Sequence, residues 1–272
     1  MQSPPLLTDR TALLRNRARA SETFLHEAAL ADVKERLKEV NRTFTHPLVV
    51  SGCPAVWHKL GAVIPDDEVL AVETGAHDLV VHGLALHWAN DPVGQLVQCR
   101  RALKPDGLFL GLLFGGQTLS DLRTALAEAE IEVTGGLSPR VLPMGEIRAL
   151  GALLQRAGFA LPVADSFTLT VAYRDGWHLM RDLHAMGEGN ALAARLRHPT
   201  RATVLRRSVD LMVQRLQGGD GLLHVPFEII CLTGWAPAES QPKPLKPGSA
   251  VARLSDALGG VETPLPRPTL DG

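Results

Sequence analysis

The sequence predicts an α/β fold built on a mostly parallel sheet. Asp78–His82 (Asp-Leu-Val-Val-His) and Leu108–Phe114 (Leu-Phe-Leu-Gly-Leu-Leu-Phe) are apolar runs of strand length. Between them Val93, Leu96, Val97 and Leu103 recur at helical spacing. Strand, helix and strand in that order make one βαβ crossover, the unit that joins parallel neighbours. His46–Ser51 (His-Pro-Leu-Val-Val-Ser) is a third short apolar run, fit for a strand covered on both faces.

The remaining elements follow in chain order. Residues 10–40 read as helical, with Leu30, Val33, Leu37 and Val40 on one face. Arginines 10, 15, 17 and 19 cluster ahead of that stripe, as a solvated face or an electrostatic docking arm. Glu68–Glu73 is the strand candidate between the first two apolar runs. The crossover helix should stop at Lys104-Pro-Asp-Gly107, where proline sets one turn angle and glycine accepts a positive one. Helices are expected at about 118–132 and 143–157, the second closed by Gly158 as a C-terminal cap. A strand within Leu161–Tyr173, mostly helical chain over 176–196, a helix over 200–216 and a last strand over 225–235 complete the pattern. The division is a helical extension over 1–45, a main domain over 46–235 with a lid at about 174–217, and a Pro-rich extended or disordered tail over 236–272.

Composition narrows the function classes. Twenty-eight basic and 29 acidic residues leave a net charge of −1, with no global field to recruit nucleic acid or anionic lipid. No apolar run approaches the roughly 20 residues that span a bilayer, and the first ten residues lack the layout of a secretion signal. Cys53, Cys99 and Cys231 have no metal or redox spacing, and His87 with Asp91 makes a poor metal pair before Pro92, so no metal is expected. A cytoplasmic chain is expected, reaching the inner face of a membrane only through a partner.

Several motifs carry a resemblance. The Asp78–Val81 strand, Leu84-Ala-Leu-His-Trp88 and Leu103-Lys-Pro-Asp-Gly-Leu-Phe-Leu110 are similar to the second half of a class I S-adenosylmethionine-dependent methyltransferase. Gly115-Gly-Gln-Thr-Leu119, Gly135-Gly-Leu-Ser-Pro-Arg140, Ala185-Met-Gly-Glu-Gly-Asn-Ala-Leu192 and Thr233-Gly-Trp235 resemble the family of respiratory complex I assembly factor five and its bacterial homologues. More distantly, the chain resembles malonyl carrier-protein methyltransferases of biotin synthesis. The resemblance implies a Rossmann-like fold with an antiparallel last strand, a protein partner such as a complex I subunit, and S-adenosylmethionine as the cofactor to test. Its eukaryotic member is an arginine hydroxylase acting on an iron–sulfur subunit of complex I.

In such a fold the cofactor lies at the carboxyl ends of the first strands, against open glycines and an acidic residue that receives the ribose hydroxyls. Here the first strand runs into Ser51-Gly-Cys-Pro54, so Gly52 survives alone and Pro54 lacks a backbone donor. Only 26 residues separate Ser51 from Asp78, whereas two helices and two strands need about 40. The sheet is therefore expected to be short by one strand. Glu73 stands in the ribose position if Glu68–Glu73 is strand two; if that segment is strand three, the ribose carboxylate is gone. Gly52, Glu73 and His82 form the expected cofactor set.

His87 and Trp88 follow the central strand and are the candidate catalytic pair, set against a reading in which both are structural. Arg140, Glu188, Asn190 and Arg195 are the candidate substrate or partner residues, expected to converge over the carboxyl edge of the sheet. Arg140 suits an acidic group, with a loop-pinning role as the alternative; Asn190 donates and accepts, or caps a helix over Ala191–Leu196. Trp235 is expected to pack against the lid. The reading favoured is a methyltransferase-like protein with a degenerate cofactor site, acting as a protein-binding assembly or maturation factor for complex I. The alternative is an active methyltransferase, or an arginine hydroxylase, working on a protein.

Overall fold

The computed structural model describes residues 6–241. Most of the segment assigned above to a Pro-rich tail lies outside the described residues. The chain as far as Ala238 forms one compact unit.

A six-stranded sheet organises that unit. Its strands are β1 (Pro47–Val50), β2 (Ala62–Ile64), β3 (His77–Gly83), β4 (Leu103–Phe114), β5 (Ala160–Tyr173) and β6 (Leu223–Trp235), in the spatial order β2-β1-β3-β4-β6-β5. The first four run parallel; β6 is antiparallel to both β4 and β5. Between β1 and β3 lie one four-residue helix and one strand, which leaves the sheet a strand short of the seven implied by the resemblance.

The helices are α1 (Arg10–Arg17), α2 (Phe24–Glu39), α3 (Pro54–Trp57), α4 (Pro92–Ala102), α5 (Ser120–Thr134), α6 (Ile147–Arg156), α7 (Gly176–Ala185) and α8 (Ala202–Leu216). Local chemistry sets several boundaries. Asp91 caps α4 by accepting from the Gly94 N–H at 2.8 Å, with Pro92 at the first helical position. Asp175 caps α7 in the same way through His178. Gly135 and Gly158 follow α5 and α6 at φ +70° and +81°, where a side chain would strain the backbone.

Apolar side chains cover both faces of the sheet. One face carries Leu25, Ala29 and Val33 of α2 with Leu122, Ala125 and Ala129 of α5 and Leu211 of α8. The other carries Leu96, Cys99 and Ala102 of α4 with Leu154 of α6. Strands β1 and β3 are buried on both faces, which is why they read as unbroken apolar runs.

Several expectations are corrected. The stretch 10–40 is two helices, because the Ser21 and Glu22 N–H groups turn away to the carbonyl of Ala185. Glu68–Glu73 is not a strand. Its backbone is satisfied by α4 side chains: Gln98 Nε2 donates to the Glu68 carbonyl, and the Leu70 N–H donates to Gln98 Oε1. The second strand is the three-residue Ala62–Ile64, paired in register with Leu48–Val50. The Lys104–Gly107 segment lies inside β4 rather than in a turn ahead of it, and its positive φ belongs to Asp106 (+61°), not Gly107. The segment 186–200 is irregular rather than helical. Trp235 pairs with Leu108 and lies under the Arg42 guanidinium, at the amino end of the parallel strands and away from the lid.

Candidate functional site

Parallel strands present their carboxyl ends to ligands because the loops that follow carry free backbone groups and close approaches. The loop after β1 is fastened by Ser51, whose hydroxyl donates to the Gly83 carbonyl (2.8 Å) and accepts from the Cys53 N–H (3.2 Å). After β2 the chain turns at Pro65-Asp66. Asp66 is 2% exposed and fully engaged: Oδ1 faces Arg17 Nη1 at 2.6 Å and Oδ2 faces Arg10 Nη1 at 3.1 Å. Burial alone would raise this carboxyl, but the two guanidinium groups outweigh it and hold Asp66 below the ordinary carboxylate range. Asp66 thus stands where the ribose acid of the fold belongs.

Glu73 does not. It is exposed in the loop ahead of β3, nine residues past the end of β2. Sequence reasoning missed Asp66 because a three-residue strand leaves no periodic signal; the hint was an acid directly after Val63-Ile64-Pro65.

Gly52 lies beneath Arg17. A β-carbon at position 52 would stand 2.5 Å from Arg17 Nη1, so the approach that glycine permits is taken by an arginine of the same chain. About 150 Å³ remains beside Gly52, Cys53, His26 and Glu188. Sites for small molecules run to about 300–1,000 Å³. The space left beside Gly52 in this arrangement is below that range. Arg10 and Arg17 form neither a solvated face nor a docking arm; both are turned inward.

The histidines nearby are structural and neutral. His82, the third residue of the expected cofactor set, is fully buried and its Nε2 meets Gln95 Oε1 at 2.9 Å. Gln95 in turn donates to the Asp66 and Asp67 carbonyls, fixing the turn after β2. Burial lowers the pKa of His82 to about 4, and does the same for His26, whose Nδ1 accepts from Trp57 Nε1. Burial raises the Cys53 thiol, so no activated nucleophile is formed there.

A larger cavity of about 330 Å³ opens over the carboxyl end of β4 and the amino half of the antiparallel β6, walled by residues of α5, α7 and the irregular segment 186–200. Arg140, Glu188, Asn190 and Arg195 all line it, as does Trp88. Phe114, Leu122, Met144, Leu183 and Phe227 are among its apolar walls. Its arginines are already paired. Arg140 grips Glu130 through Nε (3.0 Å) and Nη2 (2.7 Å), so it pins a loop and presents no free cation to an acidic group. Arg195 meets Asp9 at 2.9 Å. Asn190 donates to the Pro139 carbonyl and accepts from the Leu192 N–H; no helix follows it.

Glu188 differs from these. Its Oε2 accepts from Trp88 Nε1 at 2.7 Å and lies 3.5 Å from His87 Nε2, and no lysine or arginine among the described residues is paired with it. Burial would raise its carboxyl, but His87, Arg17 and the Trp88 N–H outweigh burial and keep it ionised. Glu188 also borders the 150 Å³ remnant, and so stands between the two spaces. His87 is 3% exposed, stacks on Phe114 with ring centroids 4.8 Å apart, and borders neither space. Its nearest polar neighbour there is Glu188. Among the described residues no cluster of three or more His, Cys, Asp or Glu is placed to hold a metal. No helix among them is long and apolar enough to cross a membrane.

The βαβ order and the antiparallel final strand make this a Rossmann-like fold of the class I methyltransferase type. Residues 25–111 match the methyltransferase domain family. Within that class the chain is similar to the arginine-hydroxylase NDUFAF5, mitochondrial, of Dictyostelium discoideum, at 40% identity over 71% of this chain and 44% of that protein. It is 38% identical to the human protein of the same name over 75% of this chain and 59% of that one. A malonyl-[acyl-carrier protein] O-methyltransferase of Xylella fastidiosa is 32% identical over 66% of this chain and 59% of its own length. The chain thus spans about half the length of the curated relatives it matches.

Proposed function

We propose that this chain is a methyltransferase-like protein with a degenerate cofactor site that acts as a protein-binding assembly or maturation factor for respiratory complex I. One contrast carries this reading. The nucleoside end of the groove is filled by Arg17, while a cavity twice that size stays open beside it. The cavity's apolar walls suit an aliphatic stem, and Glu188 is its one carboxylate, faced by His87 and the Trp88 N–H rather than by a paired lysine or arginine among the described residues. A buried carboxylate in that position favours a cation, because pairing it offsets the cost of burial. The relatives named arginine hydroxylases suggest which cation: an arginyl side chain offered by the partner protein.

The test is affinity capture with the intact chain, read by mass spectrometry against a Glu188→Lys variant that fills the cavity with its own cation. The expected result is a complex I iron–sulfur subunit recovered by the wild type and depleted at least fivefold with the variant. Equal recovery by both, or recovery of no complex I subunit, contradicts the reading.

A further inference from the structure

We propose that Arg17, assisted by Arg10, is an internal competitor for the nucleoside end of the groove, so that a ribose-bearing ligand enters only when α1 is displaced. This inference rests on the reading above that the resting chain holds no cofactor. The competition is chemical. A ribose diol and a pair of guanidinium groups both present two donors to one carboxylate, and both Asp66 oxygens are already taken. It is also spatial, since Arg17 lies on the bare Cα of Gly52, where a ligand would pass.

The fastening of α1 gives the contact a switch. Leu7 and α1 are tied chiefly to the lid segment: the Asp9 N–H donates to the Ala191 carbonyl, the Ala193 N–H donates to Leu7, and Asn16 Nδ2 donates to Gly189. Ion pairs from Asp9 to Arg195 and Arg197 strengthen the same junction. That segment lines the open cavity. A partner that shifts it draws α1, and with it Arg17, off Asp66. Cavity occupancy and nucleoside entry are then coupled through one movable element, and the coupling is reciprocal.

Calorimetric titration of the full chain with S-adenosylhomocysteine, and separately with adenosine, tests the competitor. Arg17→Ala should tighten binding of both at least tenfold over wild type, and adding Asp66→Asn should abolish the gain. A folded Arg17→Ala chain with no gain, or a gain that survives Asp66→Asn, overturns the proposal. Should Arg17→Ala fail to fold, Arg17→Met keeps the stem and removes the charge. Should both fail, amide exchange of the wild type in millimolar S-adenosylhomocysteine decides: faster exchange over 10–17 supports displacement, unchanged exchange contradicts it. Tight binding by the wild type contradicts the function proposed above. Equally weak binding by wild type and variant contradicts the competitor alone.

Discussion

Asp66 concentrates the electrostatics of the nucleoside end, and its substitution separates a structural role from a ligand-binding one. Removing one charge from a buried ion cluster strands its partners, at a cost of about 3–5 kcal/mol. Asp66→Asn should therefore lower stability by that order in urea denaturation, because Arg10 and Arg17 are 18% and 10% exposed and lose their common acceptor. Glu73→Ala, in an exposed loop, should change stability by no more than about 0.5 kcal/mol. The histidines give a pH signature. His26 and His82 have folded pKa values of about 4, against an ordinary 6.5. Their depression means that stability is full above pH 6.5 and falls as pH drops toward 4, since the unfolded chain takes up protons first. The carboxylates held low, Asp66 and Glu188, add their loss only below the ordinary carboxylate range. His26→Gln retains an acceptor for Trp57 Nε1 and should flatten the loss measured between pH 7 and pH 5.

At the scale of elements, α1 behaves as a clasp rather than a core helix. It is eight residues long, too short to hold itself together, and is ordered by its contacts. Leu13 is fully buried in a small cluster with Trp88, Leu142 and Leu192. Leu13→Ala should cost about 2–5 kcal/mol if the clasp opens only on global unfolding. A smaller loss is expected, because local opening gives a cheaper route. Amide exchange should show 10–17 and 189–197 opening together, ahead of β3 and β4. Independent exchange of the two segments would contradict their coupling. Elements with long apolar runs or firm punctuation were legible in the sequence: β1, β3, β4, α4 and the glycine-closed α5 and α6. The short β2 was not. Its three residues, burial pattern exposed-intermediate-intermediate, carry no periodicity, whereas Glu68–Glu73 mimics a strand while being held by Gln98.

For the whole molecule, the apolar runs of β3 and β4 disclosed the parallel crossover and the resemblance implied the antiparallel last strand, while the 26 residues between Ser51 and Asp78, too few for two helices and two strands, implied the missing strand. Which residue replaced which function was not legible, because it depends on side chains meeting across long separations. Arg17 and Asp66 are 49 residues apart, Trp88 and Glu188 100. The convergence of Arg140, Glu188, Asn190 and Arg195 on one cavity has the same origin, and the structure distinguishes Glu188 from the others by what each is already bound to. On the proposed reading, the sheet is a scaffold whose open cavity faces a partner rather than a nucleotide.

Titration of the intact wild-type chain with S-adenosylmethionine in a calorimeter addresses that claim most directly. The account predicts no saturable heat at micromolar ligand, with any binding confined to the millimolar range. Stoichiometric binding with a micromolar Kd would show that Arg17 and Asp66 do not close the site, and would contradict the account.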